Sequence, residues 1–186
     1  MSTGGRVRSL VVDDYEPWRS FVRSKLENMP ELQIVGEVRD GLKSVEQAKA
    51  LQPDLILLDI GLPTINGIEA ARRIREVCPL SKILFVSENR SPDIAEEALK
   101  TGANGYVVKS DAASELLPAI KAVLEGKRFI SASLTGQFLI ATTVGALETT
   151  LLTSIMTFIS KALTTIWLLS IVDFSITTLV GSRLLS

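Results

Sequence analysis

Four apolar residues, Leu55–Leu58, run without a polar break and stop at Asp59. An uninterrupted apolar run of strand length fits a strand buried on both faces, as in a parallel sheet layered between helices. A sheet of that kind constrains the whole chain, because each parallel neighbour must be reached by a long crossover, usually a helix. It also fixes where chemistry sits: open α/β sheets bind ligands at the carboxyl ends of their strands. Asp59 stands at such an end. Gly61, Pro63 and the turn dipeptide Asn66-Gly67 read as the loop that follows. Ile68, Ala71, Ile74 and Val77 then recur at helical spacing. Alone, an aspartate there fits a cap or a turn equally well. Its weight comes from what other segments bring to the same rim.

Taken in order, Val7–Val12 reads as a strand ending at Asp13-Asp14. Pro17 suits the first turn of a helix, where its missing N–H is harmless. Trp18, Phe21, Val22, Leu26 and Met29 form that helix's apolar face, and Pro30 stops it. Leu32–Val38 is a second strand. Residues 41–51 form a helix expected to bury Leu42, Val45, Ala48 and Leu51. Pro79 closes the helix after Asp59. Lys82–Val86 is a strand reaching Ser87, and Pro92 opens a helix through Ile94, Ala95, Ala98 and Leu99 that Gly102 ends. Gly105–Val108 is a fifth strand ending at Lys109. A last helix runs from about Ser114 to Glu125, with Leu116, Leu117, Ile120, Val123 and Leu124 inward and Gly126 as its stop. Five strands alternating with five helices predict an α/β fold, a doubly wound five-stranded parallel sheet with right-handed crossovers. On this reading the sheet is complete by Val108.

Four strand ends then carry Asp13-Asp14, Asp59, Ser87 and Lys109. Three carboxylates form a hard-oxygen site of the sort Mg²⁺ accepts while keeping several waters. A hydroxyl and an ammonium add donors that suit a transferring phosphoryl group. The chain has no histidine, which removes the commonest general base and zinc ligand. The plausible nucleophile is an aspartate, giving an aspartyl-phosphate. Read singly, Asp13-Asp14 fits turn and cap duty, Ser87 a cap, Lys109 a solvated lysine and Tyr106 a half-buried ring with a wet hydroxyl. Jointly, those readings require the right chemistry to reach one rim by chance.

Residues 7–130 resemble the receiver domain of bacterial two-component response regulators. The likeness rests on Leu-Val-Val-Asp-Asp, Pro-Asp-Leu-Ile-Leu-Leu-Asp-Ile-Gly-Leu-Pro, Asn-Gly-Ile-Glu, Phe-Val-Ser and Gly-Ala-Asn-Gly-Tyr-Val-Val-Lys. It is closest in style to regulators carrying a C-terminal helix-turn-helix. The resemblance implies a flavodoxin-like strand order 2-1-3-4-5. It implies that Asp59 accepts phosphate from a sensor histidine kinase, and that the protein forms a homodimer on phosphorylation. Asp14, Asp59 and the Gly61 carbonyl would hold Mg²⁺, with Asp13 assisting. Lys109 would contact the phosphoryl oxygens, Ser87 would hydrogen-bond them, and Tyr106 would turn inward in concert. Two positions depart from the pattern. Glu88 replaces a small residue and would repel an incoming phosphoryl dianion, a modulating role. Ser110 replaces the frequent proline after Lys109, so no cis peptide is expected there.

Residues 1–130 are therefore read as a receiver, and residues 131–186 as an apolar Ser/Thr/Leu-rich tail, helical by its composition. Of 20 basic and 21 acidic residues, only Glu148, Lys161, Asp173 and Arg183 fall in the tail. DNA binding by so uncharged a segment is not supported, since phosphate neutralisation dominates such affinity. Uncharged runs of 12, 11 and 9 residues separate those four, against the ~20 a spanning helix needs. The tail is open to three readings: membrane contact, a packing or dimerising appendage, or an out-of-frame replacement of the output domain. One cysteine, Cys78, and a polar N-terminus without a secretion signal predict the cytoplasm. Membrane association through 131–186 is the alternative. The functional expectation is a phosphoacceptor signalling domain, not an enzyme. An aspartyl-phosphate phosphotransferase or hydrolase is the competing class. Hydrolases of the haloacid dehalogenase type place a second Asp two residues after the nucleophile, where this chain has Gly61. A transcription factor with a lost or altered DNA-binding output is the third class.

Overall fold

The computed structural model describes residues 5–135. Strands β1 (Val7–Val12), β2 (Leu32–Val38), β3 (Leu55–Leu58), β4 (Lys82–Ser87), β5 (Gly105–Val108) and β6 (Phe129–Ile130) form one sheet. Its order is β2-β1-β3-β4-β5-β6, and every pairing is parallel. Helices α1 (Glu16–Leu26), α2 (Gly41–Leu51), α3 (Gly67–Val77), α4 (Pro92–Lys100) and α5 (Ala112–Leu124) supply the crossovers, with a 3-10 turn at Lys109–Asp111 leading into α5.

Successive residues of a strand point to opposite faces, and the sheet separates two cores on that rule. Leu10, Val12, Ile56, Leu58, Ile83 and Phe85 pack with Ile68, Ala71 and Ile74 of α3 and Ala95 and Ala98 of α4. Val11, Leu55, Leu57, Leu84 and Val86 pack with Val22 and Leu26 of α1 and Leu116, Ile120 and Val123 of α5. All four residues of β3 are buried, as its unbroken apolar run requires. Burying each such leucine stabilises the fold by roughly 1.5–3 kcal/mol relative to exposure. The helix ends follow local chemistry. Asp40 caps α2 through the Lys43 N–H at 2.9 Å, and Asn66 caps α3 through the Glu69 N–H at 2.9 Å. Gly126 takes the left-handed backbone, φ 81°, just past α5.

Four expectations are corrected. The sheet is not complete at Val108: Phe129 and Ile130 pair with Gly105 and Tyr106 as a sixth strand. Packing also runs past residue 130. Ser131 is wholly buried, its Oγ accepting from Val108 N at 2.9 Å and donating to Glu115 Oε2 at 2.5 Å, and Leu134 joins the α3/α4-side core at 1% exposure. Leu42 is exposed, because α2 turns its small residues Gly41, Ser44 and Ala48 inward; Leu42 lies about 100° around the helix from Gly41. In α5, Ala119 takes an inner position, while Leu117 and Leu124 are half-buried and Pro118 is exposed. Among the described residues no helix is long and apolar enough to cross a membrane. The readings of the tail beyond residue 135 lie outside the described residues.

Candidate functional site

The sheet register brings the candidate residues together. Val12 pairs with Leu58, so the residues that follow, Asp13 and Asp59, leave adjacent strands side by side. Asp59 N donates to the Val12 carbonyl at 2.9 Å, continuing the ladder one step beyond the strands. Ser87 pairs with Val108, and Lys109 comes next. The loop after Asp59 folds back tightly: Gly67 N donates to the Ile60 carbonyl at 2.9 Å, and a Cβ at Gly67 would collide with the Asp59 carbonyl oxygen. Only glycine permits that approach.

Asp13, Asp59 and Lys109 are buried and Asp14 is exposed. Asp13 Oδ1 accepts from Tyr15 N at 2.9 Å, and Asp59 Oδ1 accepts from Ile60 N at 2.7 Å. Their Oδ2 atoms face Lys109 Nζ at 2.6 and 3.2 Å. The Trp18 ring centroid lies 5.3 Å from the same ammonium, within cation–π range. Burial raises the proton affinity of Asp13 more than the Lys109 contact lowers it. Burial opposes the charge on Lys109, yet the Asp13 and Asp59 carboxylates outweigh it and raise its pKa. The Asp13 shift is an effect of burial, whereas the Lys109 shift reflects the two carboxylates that surround one ammonium. One carboxylate oxygen from each of Asp13, Asp14 and Asp59 lies within 4.8 Å of the others. Asp13 Oδ2 is buried without an aligned hydrogen-bond donor. This donor set, all oxygen and short of positive charge, fits a hard divalent cation.

The far side of the rim is built differently. Ser87 is buried, and its Oγ accepts from Asn89 N at 3.3 Å. Tyr106 is fully buried rather than half-wet, and its hydroxyl donates to the Asn89 carbonyl at 2.9 Å. Burial raises the Tyr106 pKa, against a smaller opposing hydrogen bond with Ser87. Between the two sides lies a groove lined by Asp59, Ile60, Gly61, Ser87, Glu88 and Asn89. Gly61 is exposed there, where an added Cβ would stand 3.6 Å from Asp59 Oδ2; Glu88 is exposed at the groove's edge. There is no cis peptide among the described residues, Lys109–Ser110 included.

Arg19, Trp18 and Asn89 were not singled out in the sequence as site residues. Arg19 carried a usable signal: it lies three residues before Val22 and seven before Leu26, on the buried face of α1. Its guanidinium donates to the Asp13 carbonyl at 2.7 Å.

A family model described as the response regulator receiver domain matches residues 9–121. The chain is 34% identical over 130 residues to the transcriptional regulatory protein DegU of Brevibacillus brevis, covering 70% of this chain and 55% of that protein. It is 34% identical over 126 residues to the nitrate/nitrite response regulator protein NarL of Escherichia coli K12, covering 68% of this chain and 58% of that protein. It thus spans little more than half the length of these relatives. The crystal structure of a LuxR-family two-component response regulator from Aurantimonas sp. SI85-9A1 superposes with a TM-score of 0.71 at 31% identity, covering 75% of this chain and 99% of that one. The sheet order, the convergent rim and these matches together place the chain in the response regulator receiver family.

Proposed function

We propose that Asp59 is the phosphoacceptor of this receiver, and that the acidic pocket holds Mg²⁺ through Asp13, Asp14, Asp59 and the Gly61 carbonyl. The observation that carries this reading is the position of Asp59. It is buried at a strand end, between a lysine ammonium and two other carboxylates, and it borders the groove. A carboxylate oxygen of Asp59 attacks phosphorus, the bond from phosphorus to the donor's nitrogen or oxygen breaks, and the leaving group keeps the electron pair. A sensor histidine kinase is the donor in the cell. Bound Mg²⁺ supplies charge neutralisation at the phosphoryl oxygens. Lys109, held between Asp13 and Asp59, pairs with a phosphoryl oxygen once Asp59 carries the acyl phosphate. Ser87 supplies a hydroxyl across the groove, and its movement is felt by Tyr106 through Asn89. Glu88 sets a negative charge at the groove's edge and slows the entry of anionic donors.

The protein therefore acts as a phosphorylated signalling domain rather than an enzyme acting on separate substrates. The test is intact-mass measurement after incubation with a small phosphodonor and Mg²⁺. One added phosphoryl group is expected in the wild type and none in Asp59→Ala or without the divalent ion. Equal labelling of wild type and variant would assign the acceptor elsewhere.

A further inference from the structure

Arg19 is a buried charge for which the proposed chemistry has no use. Its side chain is 1% exposed, and arginine is almost never so buried unless paired. Its hydrogen bonds fan out to three elements. One goes to the Asp13 carbonyl at 2.7 Å, at the end of β1. A second goes to Glu37 Oε2 of β2 at 3.2 Å. The third partner is Glu16, in the first turn of α1. Arg23 holds the same two glutamates from the solvent side, with contacts of 2.7 Å to each. The guanidinium thus has a carboxylate on two sides and delivers one firm hydrogen bond to the backbone of the site.

That backbone position matters. The Asp13 carbonyl belongs to the peptide unit joining Asp13 to Asp14. Its orientation sets the direction in which the Asp14 carboxylate leaves the chain. Asp13 is anchored by its own contacts to Tyr15 N and Lys109. Asp14 is exposed, so the backbone is what aims its carboxylate at Asp13 and Asp59.

We infer that Arg19 is a positioning residue for divalent-cation binding: by fixing the Asp13–Asp14 peptide it aims Asp14 into the acidic pocket. The inference rests on the Mg²⁺ reading above. It makes a prediction opposite in sign to simple electrostatics. A cation near the pocket repels Mg²⁺, so an Arg19 acting only through its charge would weaken binding, and its removal would tighten it. Glu16 and Glu37 offset that charge, which leaves orientation as the larger effect.

The experiment measures Mn²⁺ binding to the full-length chain from the electron paramagnetic resonance signal of the free ion, with Mg²⁺ as competitor. Thermal unfolding is followed in parallel. The wild type should bind one Mn²⁺ that Mg²⁺ displaces. Arg19→Met should bind it roughly tenfold more weakly, the size expected for loss of a charge-assisted hydrogen bond. Arg19→Lys keeps the charge but loses the planar fork of donors and should fall between the two, about threefold weaker. In both variants the Mg²⁺ concentration for half-maximal Asp59 labelling should rise, while labelling at saturating Mg²⁺ returns toward the wild-type rate. A purely structural role predicts a lower melting temperature with unchanged affinity, and that outcome overturns the inference. So does tighter binding. Should Arg19→Met fail to fold, Arg19→Lys decides alone: weaker binding in the folded protein supports the inference and equal binding overturns it. A wild type that binds no Mn²⁺ would instead overturn the metal reading on which this one stands.

Discussion

The two sides of the groove are held in place by different means. On the acidic side, Asp13 and Asp59 each take a backbone N–H on one oxygen and the Lys109 ammonium on the other. Arg19 ties down the Asp13 carbonyl, and Trp18 lies against the lysine. On the opposite side, Ser87 has a 3.3 Å contact with Asn89, longer than an ordinary N–H···O bond. Tyr106 reaches the same residue through one hydrogen bond, and Glu88, Asn89 and Arg90 are exposed. Local motion is drawn from regions with few buried contacts. On the function proposed above, the contrast is a division of labour: the more heavily bonded side holds charge, and the exposed Glu88–Arg90 loop beside buried Ser87 and Tyr106 responds to it.

The sharpest way to break that comparison is to remove the ammonium. Lys109→Met leaves Asp13 and Asp59 buried without their cation and should lower stability by about 3 kcal/mol, read from urea unfolding. Excess Mg²⁺ should restore much of the loss, since it stabilises the state that binds it. A loss that Mg²⁺ does not touch would mean the acidic side is not a cation site. The next effect concerns the core that Tyr106 and Leu134 share. Leu134→Ala in the full-length chain should cost about 2–3 kcal/mol as a cavity in the shared core. A change under about 0.5 kcal/mol would return the receiver's limit to residue 130. Tyr106→Phe deletes the hydrogen bond to Asn89 and the weaker contact with Ser87 and should cost about 1 kcal/mol, with Asp59 labelling unchanged; a large fall in labelling would place Tyr106 in the phosphoryl site itself. Glu88→Ala should have the smallest effect. The side chain is exposed, so its repulsion is worth at most about 1 kcal/mol at low salt. The variant should label somewhat faster than wild type, and salt should erase the difference. Equal rates at low salt would remove Glu88 as a modulator.

Much of the site was legible because it sits at strand ends. The run Leu55–Leu58 marks β3 by its lack of any polar residue; Asp13 and Lys109 directly follow the apolar ends of β1 and β5, and Ser87 closes β4. A parallel sheet then brings those ends together without further information. Arg19 was harder to read, since its burial depends on Glu37 in another strand and on a backbone carbonyl, neither visible in the spacing of α1. The strand Phe129–Ile130 has two residues, too few to show alternation. The boundary inferred near residue 131 followed charge, whereas packing followed Ser131 and Leu134, which are uncharged and buried. Leu42 misled because the fully buried positions of α2 are Gly41, Ser44 and Ala48, with Val45 and Leu51 partly buried beside them.

The division between a rigid and a responsive side is tested most directly by amide hydrogen exchange of the full-length chain in Mg²⁺, with and without beryllofluoride as the phosphoryl analogue. The account predicts slower exchange across Glu88–Ser91 and around Tyr106 when the analogue binds, with α1 from Glu16 to Leu26 unchanged. Binding of the analogue that alters α1 and leaves the Glu88–Ser91 loop as it was would contradict it.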